Sequence, residues 1–421
     1  MRIKVYPSSL SGILEVPSSK SHFQRILAAS LLSNDKSIIN YHTISNDDKA
    51  VLNVIQDLGA RVEIGEKQII INGGLSEHPG VVNCGESGLC LRMFTPILAL
   101  LNHKVIINGE GSLLNRPQQF MQQALSELGV ELKSSMGLLP LSVKGPLQAG
   151  NIRIDGSFSS QFLTGLLMAL PLCDSDSSIH VENLVSRPYI DLTLKTLDSF
   201  GIRIVNKEYQ QFMIPGKQRY SGGEFTVEGD WSSASNLIIG ALSSGEVTLQ
   251  NLDQESTQAD RRLMNLLNSM EVRLKASSQE VMIFKSEVSA FTFNASECPD
   301  LFPPLVSFAV LSRKKCEING VKRLKHKESD RAQSLIREFA KLGIAISVND
   351  DLLTIEGTRA NGGTVHSHND HRIAMALAIT ALSATEAVVI EGAECVKKSY
   401  PGFWNDLQKL GANIEFYHPE D

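Results

Sequence analysis

Apolar and polar positions follow one pattern that recurs along the whole chain. An amphipathic stretch ends in a Leu-Gly-like pair, and a short β-rich hairpin follows. Ile55-Gln56-Asp57-Leu58-Gly59-Ala60 is matched by Leu125-Ser126-Glu127-Leu128-Gly129-Val130 and by Leu197-Asp198-Ser199-Phe200-Gly201-Ile202. Later copies are Leu267-Asn268-Ser269-Met270-Glu271-Val272, Phe339-Ala340-Lys341-Leu342-Gly343-Ile344 and Leu407-Gln408-Lys409-Leu410-Gly411-Ala412. Glu271 takes the glycine place in the fourth copy, and the spacings are 70, 72, 70, 72 and 68. A helix ended by a left-handed glycine at C′, turning the chain into a strand, accounts for the pattern. The runs behind these stops alternate as half-buried strands do, as in Gln68-Ile69-Ile70-Ile71-Asn72 and Leu352-Leu353-Thr354-Ile355-Glu356. Six α/β units are predicted.

A second series of landmarks keeps the same period. Short polar turns precede apolar helical stretches at Ser21, Ser87, Ser160, Ser233, Asp300 and Asp370, spaced by 66, 73, 73, 67 and 70. Ser and Asp favour the N-cap, so each position is expected to begin a helix. Equivalent helices would then turn their N-termini toward a common centre. Free N–H groups and about half a positive charge at each end suit phosphate and carboxylate ligands.

Composition narrows the picture. The 421 residues suffice for two or three domains, and 42% hydrophobic with 20% charged residues is an ordinary globular balance. The longest apolar run, Met93 to Leu101, contains Thr95 and Pro96 and is too short to span a bilayer. Met1-Arg2-Ile3-Lys4-Val5 does not open a secretory signal, so a cytoplasmic protein is expected. Cys84, Cys90, Cys173, Cys298, Cys316 and Cys395 form no CxxC pair, which points to free thiols in a reducing compartment rather than to zinc. No metal constellation is evident. A net charge of −6 argues against a broad nucleic-acid surface, though not against a local basic cleft.

Polar clusters sit beside the predicted helix starts. Ser18-Ser19-Lys20-Ser21-His22-Phe23-Gln24-Arg25 puts Ser21 and Arg25 on one helical face. In Gly85-Glu86-Ser87-Gly88-Leu89-Cys90-Leu91-Arg92, glycine at a helix start lets an anion approach the backbone. Ser157-Phe158-Ser159-Ser160-Gln161-Phe162 offers neutral hydrogen-bonding groups. Lys325-His326-Lys327-Glu328-Ser329-Asp330-Arg331 packs basic and imidazole groups around carboxylates. Asn369-Asp370-His371-Arg372 and Lys397-Lys398-Ser399-Tyr400-Pro401 add cations. Taken singly, each charge cluster reads as a solvated face. Their shared place near the repeat starts favours a ligand with several anionic groups.

In this order, from Val16 to Pro401, the motifs resemble the 3-phosphoshikimate 1-carboxyvinyltransferase (EPSP synthase) family of enolpyruvyl transferases. The matches are Pro-x-Ser-Lys-Ser, the Gly-x-x-Gly loop with Arg92, Gly109-Glu110-Gly111 leading to Arg116-Pro117, and Ser159-Ser160-Gln161-Phe162. Ser186-Arg187-Pro188-Tyr189-Ile190-Asp191, Glu228-Gly229-Asp230-Trp231-Ser232-Ser233-Ala234, Pro299-Asp300, Lys327 to Arg331, Asn369 to Arg372 and Lys398 complete the series. The resemblance implies an α/β fold of two domains, inverse α/β barrel-like, with six βαβαββ repeats, three per domain. It implies one domain over 20–228 and a second joining 1–19 to 229–421, with the active site in the interdomain cleft. The implied reaction transfers the enolpyruvyl group of phosphoenolpyruvate to the 5-hydroxyl of shikimate 3-phosphate, without metal or cofactor, in a monomer that needs neither nucleic acid nor membrane.

Residue by residue, the resemblance gives shikimate 3-phosphate the contacts Lys20, Ser21, Arg25, Ser159, Ser160, Gln161, Ser186, Tyr189, Asp300 and Lys327. Phosphoenolpyruvate receives Lys20, Gly88, Arg116, Gln161, Arg331, Arg372 and Lys398. Arginine suits bidentate grips on carboxylate and phosphate. Asp300 is the implied base at the 5-hydroxyl and Glu328 the implied acid at C3, with Lys20 as rival or partner in both proton transfers.

Three departures stand out. The loop reads Gly-Glu-Ser-Gly-Leu with Arg92-Met93, where the family usually has Gly-Asn-Ala-Gly-Thr and Arg-Pro. Arg323 stands where many members carry Asn, and a basic residue common between Gly111 and Arg116 is missing. Glyphosate occupies the phosphoenolpyruvate site of many members, and Leu89 with Met93 is expected to weaken its inhibition. The alternatives are a UDP-N-acetylglucosamine enolpyruvyl transferase and a non-catalytic binding protein of the same fold. The first is disfavoured because residues 109–117 contain no cysteine. The second is disfavoured because Lys20, Asp300, Glu328 and Lys398 are all present.

Overall fold

The computed structural model describes residues 1–75, 80–325 and 327–417. Contacts divide the chain into two units, Ser18–Val227 and Met1–Pro17 with Glu228–Asp421. The sheets give the repeat its physical form: there are six among the described residues, each of four strands. In the second repeat, Val81–Asn83 runs parallel to Lys104–Asn108, which pairs antiparallel with Leu138–Lys144, and that strand with Glu131–Ser135. A parallel pair needs a helical crossover, supplied here by Gly88–Leu98, whereas the antiparallel pair needs only a short turn. The other repeats follow the same plan of βαβαββ.

Three sheets are completed from a distance. Glu224–Thr226 fills the parallel edge beside Lys36–Asn40 in the first repeat's sheet. Ser11–Glu15 fills the corresponding edge beside Glu246–Gln250 in the fourth. Each strand thus precedes one helix in sequence but pairs in the other unit's sheet. In the sixth sheet Arg2–Val5 lies between Val388–Glu391 and Ile414–Tyr417, antiparallel to both.

Within each unit some helices are wholly buried, while others, such as Asn46–Asp57 and Arg331–Lys341, keep an exposed face. Gly88–Leu98 and His371–Ala381 are buried at every residue, as expected for helices apolar on all faces. Close helix packing needs a residue without a side chain at Gly165: a Cβ there would stand 2.5 Å from the Met93 carbonyl oxygen. In the other unit Ser307 Oγ bonds the Ala376 carbonyl across the helix pair, at 2.8 Å. No helix among the described residues is long and apolar enough to cross a membrane. All six cysteines are buried and unbridged.

The predicted helix stops are present. Gly59, Gly129, Gly201, Gly343 and Gly411 all have positive φ. Glu271 does not, since a side chain is costly there, and the Arg262–Asn268 helix ends through right-handed Ser269 instead. The helix starts need correction. Ser87 and Asp370 are N-caps, but the other caps are Ser19, Ser159 and Asp230 rather than Ser21, Ser160 and Ser233. Each of these side chains accepts an N–H two or three residues ahead, from His22, Gln161 and Ser233, so the cap falls one to three residues before the expected position. Asp300 caps nothing; it lies in the 3-10 turn Pro299–Leu301 and its carboxylate is engaged by cations.

Candidate functional site

In the Ser18–Val227 unit, the Lys20–Leu32 helix carries Lys20, Ser21 and Arg25. Arg25 is 1% exposed. Its Nε donates to Thr193 Oγ1 at 2.9 Å, Nη1 to the Ser21 carbonyl at 2.7 Å and Nη2 to the Tyr189 carbonyl at 3.2 Å. All of these acceptors are neutral, and no carboxylate pairs with Arg25 among the described residues. Burial pulls the guanidinium down to about 10, partly offset by Tyr189, so it stays charged at neutral pH. A buried cation without a counter-charge is costly unless an anion joins it. Lys20, by contrast, pairs with Asp47 at 2.9 Å.

Gly88 collects a second set. A Cβ on it would lie 3.0 Å from Arg116 Nη1 and 3.7 Å from both Arg92 Nη1 and Gln161 Oε1. Arg92 donates to Gln161 Oε1 at 2.9 Å and to Gln118 Oε1 at 3.0 Å, and its guanidinium lies 5.7 and 6.0 Å from the ring centres of Phe120 and Phe158. Gln118 in turn donates to the Arg116 carbonyl at 3.1 Å. Two guanidiniums and a helix N-terminus therefore meet at a bare backbone, which suits a small anion. Ser159 caps the Ser160–Ala169 helix through the Gln161 N–H, and Ser160 is buried. Ser186 is left-handed at φ 58° and makes no side-chain cap to the Arg187–Ser199 helix. Such backbone strain in a residue other than glycine is typical of functional sites.

In the other unit, Arg331 is the hub. It is fully buried and reaches three carboxylates: Asp370 at 2.9 Å from Nε, Asp300 at 2.9 Å from Nη1 and Glu328 at 2.6 Å from Nη2. Burial opposes its charge, but Asp370, Glu328 and Asp300 outweigh burial and raise its pKa. Arg372 Nη2 meets Asp300 Oδ2 at 2.9 Å, and Lys327 Nζ lies 3.7 Å from Asp300 Oδ1. Burial would raise the Asp300 carboxyl; Arg372, Lys327 and Arg331 together hold it well below the usual carboxylate range. Lys327 is pulled down to about 8, chiefly by burial and also by Arg331 and Arg323, against the pull of Asp300. Lys398 donates to the Asn369 carbonyl at 2.8 Å. His326 lies outside the described residues.

Several groups in these clusters were not among the ligand and proton-transfer residues expected from the sequence. Asp370 reads there as a helix start, yet it also orients Arg331. Asp47 holds Lys20, and Arg92 joins Arg116 and Gln161. Asp260 is buried beneath this network, bonds Ser232 and is pushed up to about 7 by burial and by Asp300, against Arg372. Arg92 stands four residues, about one helical turn, from Gly88, and Asp370 keeps the repeat period; nothing in the sequence marks Asp47 or Asp260.

The fold is that of a repeated α/β protein with buried cation clusters in each of its two units. The chain belongs to the EPSP synthase (3-phosphoshikimate 1-carboxyvinyltransferase) family, whose model matches residues 5–407. It is 38% identical over 419 residues to the 3-phosphoshikimate 1-carboxyvinyltransferase of Clostridium kluyveri, covering 98% of each chain. Identity to that of Clostridium acetobutylicum is 37% over 420 residues, again 98% of each. A solved EPSP synthase structure from Acinetobacter baumannii shares the fold, with a TM-score of 0.83 at 22% identity over 99% of this chain and 100% of that one.

Proposed function

We propose that the chain transfers the enolpyruvyl group of phosphoenolpyruvate to the 5-hydroxyl of shikimate 3-phosphate, releasing phosphate. One observation carries the reading: two carboxylates, Asp300 and Glu328, flank the single guanidinium of Arg331. Addition followed by elimination needs one group that takes a proton and another that supplies one. Asp300 takes the hydroxyl proton as oxygen attacks C2, and Glu328 protonates C3. The tetrahedral adduct then breaks its bond to phosphate and returns a proton from C3, leaving the enol ether.

The charge pattern supports an order of events. With three cations on it, Asp300 is a weak base. Substrate anions that engage Arg331, Arg372 and Lys327 draw those cations away and raise its basicity toward the working pH. Lys398 joins them on phosphoenolpyruvate. Arg25 and Ser21 take the substrate carboxylate, and a buried guanidinium with only neutral acceptors among the described residues supports that role. Ser159, Ser160, Ser186 and Lys327 take the sugar phosphate, with Tyr189 at the ring. Lys20, Gly88, Arg116 and Gln161 serve phosphoenolpyruvate. The buried, unbridged cysteines support a reducing cytoplasm as the setting.

The test is phosphate release measured with both substrates and with each alone. Release should require both. Asp300→Asn and Glu328→Gln should each lower kcat by ~10²–10⁴-fold, the usual size of a positioned acid or base, with smaller changes in binding. Full turnover in either variant would remove that carboxylate from the scheme.

A further inference from the structure

We propose that Glu86 is a positioning residue for phosphoenolpyruvate: its carboxylate fastens the Gly111–Asn115 turn to the start of the Gly88 helix and so sets where Arg116 presents its guanidinium. The inference rests on the reading above for the identity of the anion, while the fastening itself is a matter of backbone geometry.

Strands Val81–Asn83 and Lys104–Asn108 are parallel neighbours, and their pairing continues beyond the strand ends. The Cys84 N–H donates to the Asn108 carbonyl at 2.9 Å, and the Glu110 N–H to the Gly85 carbonyl at 2.7 Å. At the next step the first segment has turned into its helix cap, where the Ser87 N–H folds back on the Cys84 carbonyl at 3.1 Å. The Ser112 N–H then donates to Glu86 Oε2 at 3.2 Å. A side-chain carboxylate stands in for the backbone carbonyl of a further rung.

The seat for that carboxylate is Gly111. Its φ is +51°, and a Cβ there would lie 2.3 Å from the Glu86 carboxyl carbon and from Oε2. Glycine thus serves both the left-handed turn and the close approach. From Ser112 the path runs on to the anion site. Ser112 Oγ accepts from Arg116 Nη2 at 3.1 Å, and Arg116 Nη1 is the atom nearest the Cβ position of Gly88, at 3.0 Å. Glu86, Ser112 and Arg116 therefore act in series. The brace is separable from folding, because Asn83 Nδ2 to Glu110 Oε1 at 2.8 Å and the two backbone rungs hold the turn without it.

The Ser112 N–H needs an acceptor oxygen at this position, which an amide also supplies. Steady-state kinetics with each substrate varied, together with melting curves, tests this. Glu86→Ala should raise the KM for phosphoenolpyruvate about tenfold, the size of one lost hydrogen bond to a charged group. kcat, the KM for shikimate 3-phosphate and Tm should stay near the parent values. Glu86→Gln should restore the phosphoenolpyruvate KM to within about twofold, since it keeps the acceptor. Ser112→Ala should act in the same direction, and the double Ala variant should be no worse than the larger single effect, because the two residues share one path. An unchanged phosphoenolpyruvate KM in Glu86→Ala overturns the proposal, as do additive single effects. So does a joint loss of kcat, both KM values and Tm, which would mark a merely structural role. If the parent releases no phosphate with both substrates present, it is the proposed function that fails, a result distinguishable from all of these.

Discussion

Arg331 and Asp370 form a two-point ion pair with neither side chain exposed: Nε meets Oδ2 at 2.9 Å and Nη2 meets Oδ1 at 3.3 Å. Asp370 Oδ1 also caps the His371–Ala381 helix through the Arg372 N–H at 3.0 Å. One carboxylate therefore fixes both the hub of the network and the helix bearing its second arginine.

Asp370→Asn should be costly on both counts. The amide would turn an N–H₂ toward a guanidinium, leaving buried donors facing one another. Breaking a buried pair from one side costs ~3–5 kcal/mol. The urea midpoint should fall, and kcat should drop by more than about tenfold as Arg331 shifts toward Asp300 and Glu328. A variant with parental stability and turnover would show that the pair is not the organising contact.

Lys327 predicts an alkaline limit. With its pKa pulled down to about 8, the ammonium is present below pH 8 and lost above it. Only the charged form attracts the substrate phosphate, so kcat/KM for shikimate 3-phosphate should hold up to about pH 7.5 and fall as pH rises through 8. Lys327→Arg should move this break upward, because arginine does not deprotonate in that range. A pH profile unchanged by this substitution would assign the break to another group.

Arg25 predicts that ligand binding and stability separate. Thr193 and Thr164 have other acceptors, the Tyr189 and Ser160 carbonyls, so removing the guanidinium does not strand them. Arg25→Met should therefore cost the free protein little. The parent gains ~2.7 kcal/mol from a ligand at a hundred times its Kd. Most of the melting shift produced by shikimate 3-phosphate should vanish in the variant. A preserved shift would exclude Arg25 from the site.

Gly88 predicts a crowding effect. Alanine places its Cβ 3.0 Å from Arg116 Nη1, so the arginine must yield by a few tenths of an ångström. Gly88→Ala should raise the KM for phosphoenolpyruvate severalfold with a smaller change in kcat, and should weaken a longer anion such as glyphosate further. Leu89→Thr with Met93→Pro should increase glyphosate inhibition if those departures matter; competition against phosphoenolpyruvate measures both effects.

Much of the architecture was legible because it is local. A C′ glycine is demanded by φ at Gly59 or Gly343, and such positions recur whatever the rest of the chain does. The caps at Ser19, Ser159 and Asp230 were harder, since runs of polar residues offer several candidates within one turn. Strand destinations were not local at all: nothing in Ser11–Glu15 or Glu224–Thr226 names the sheet it will join. The site shows the same division. Cations near helix starts were visible as a periodic set. Asp47 and Asp370 were not visible as their partners, because an ion pair between residues 27 or 39 apart is a fact of folded space.

The placement of Arg2–Val5 reverses the order of synthesis. This strand is made hundreds of residues before its neighbours, Val388–Glu391 and Ile414–Tyr417. At ribosomal speeds of about 5–20 residues per second, it waits on the order of a minute for its partners. Ser18–Val227 is continuous and is free to fold in the meantime. During that interval Ile3 and Val5, wholly buried at the end, belong to an unpaired β-segment tethered ahead of a finished unit. Translation pauses and chaperone supply should thus change the yield of folded protein through these few residues, which take no part in the site.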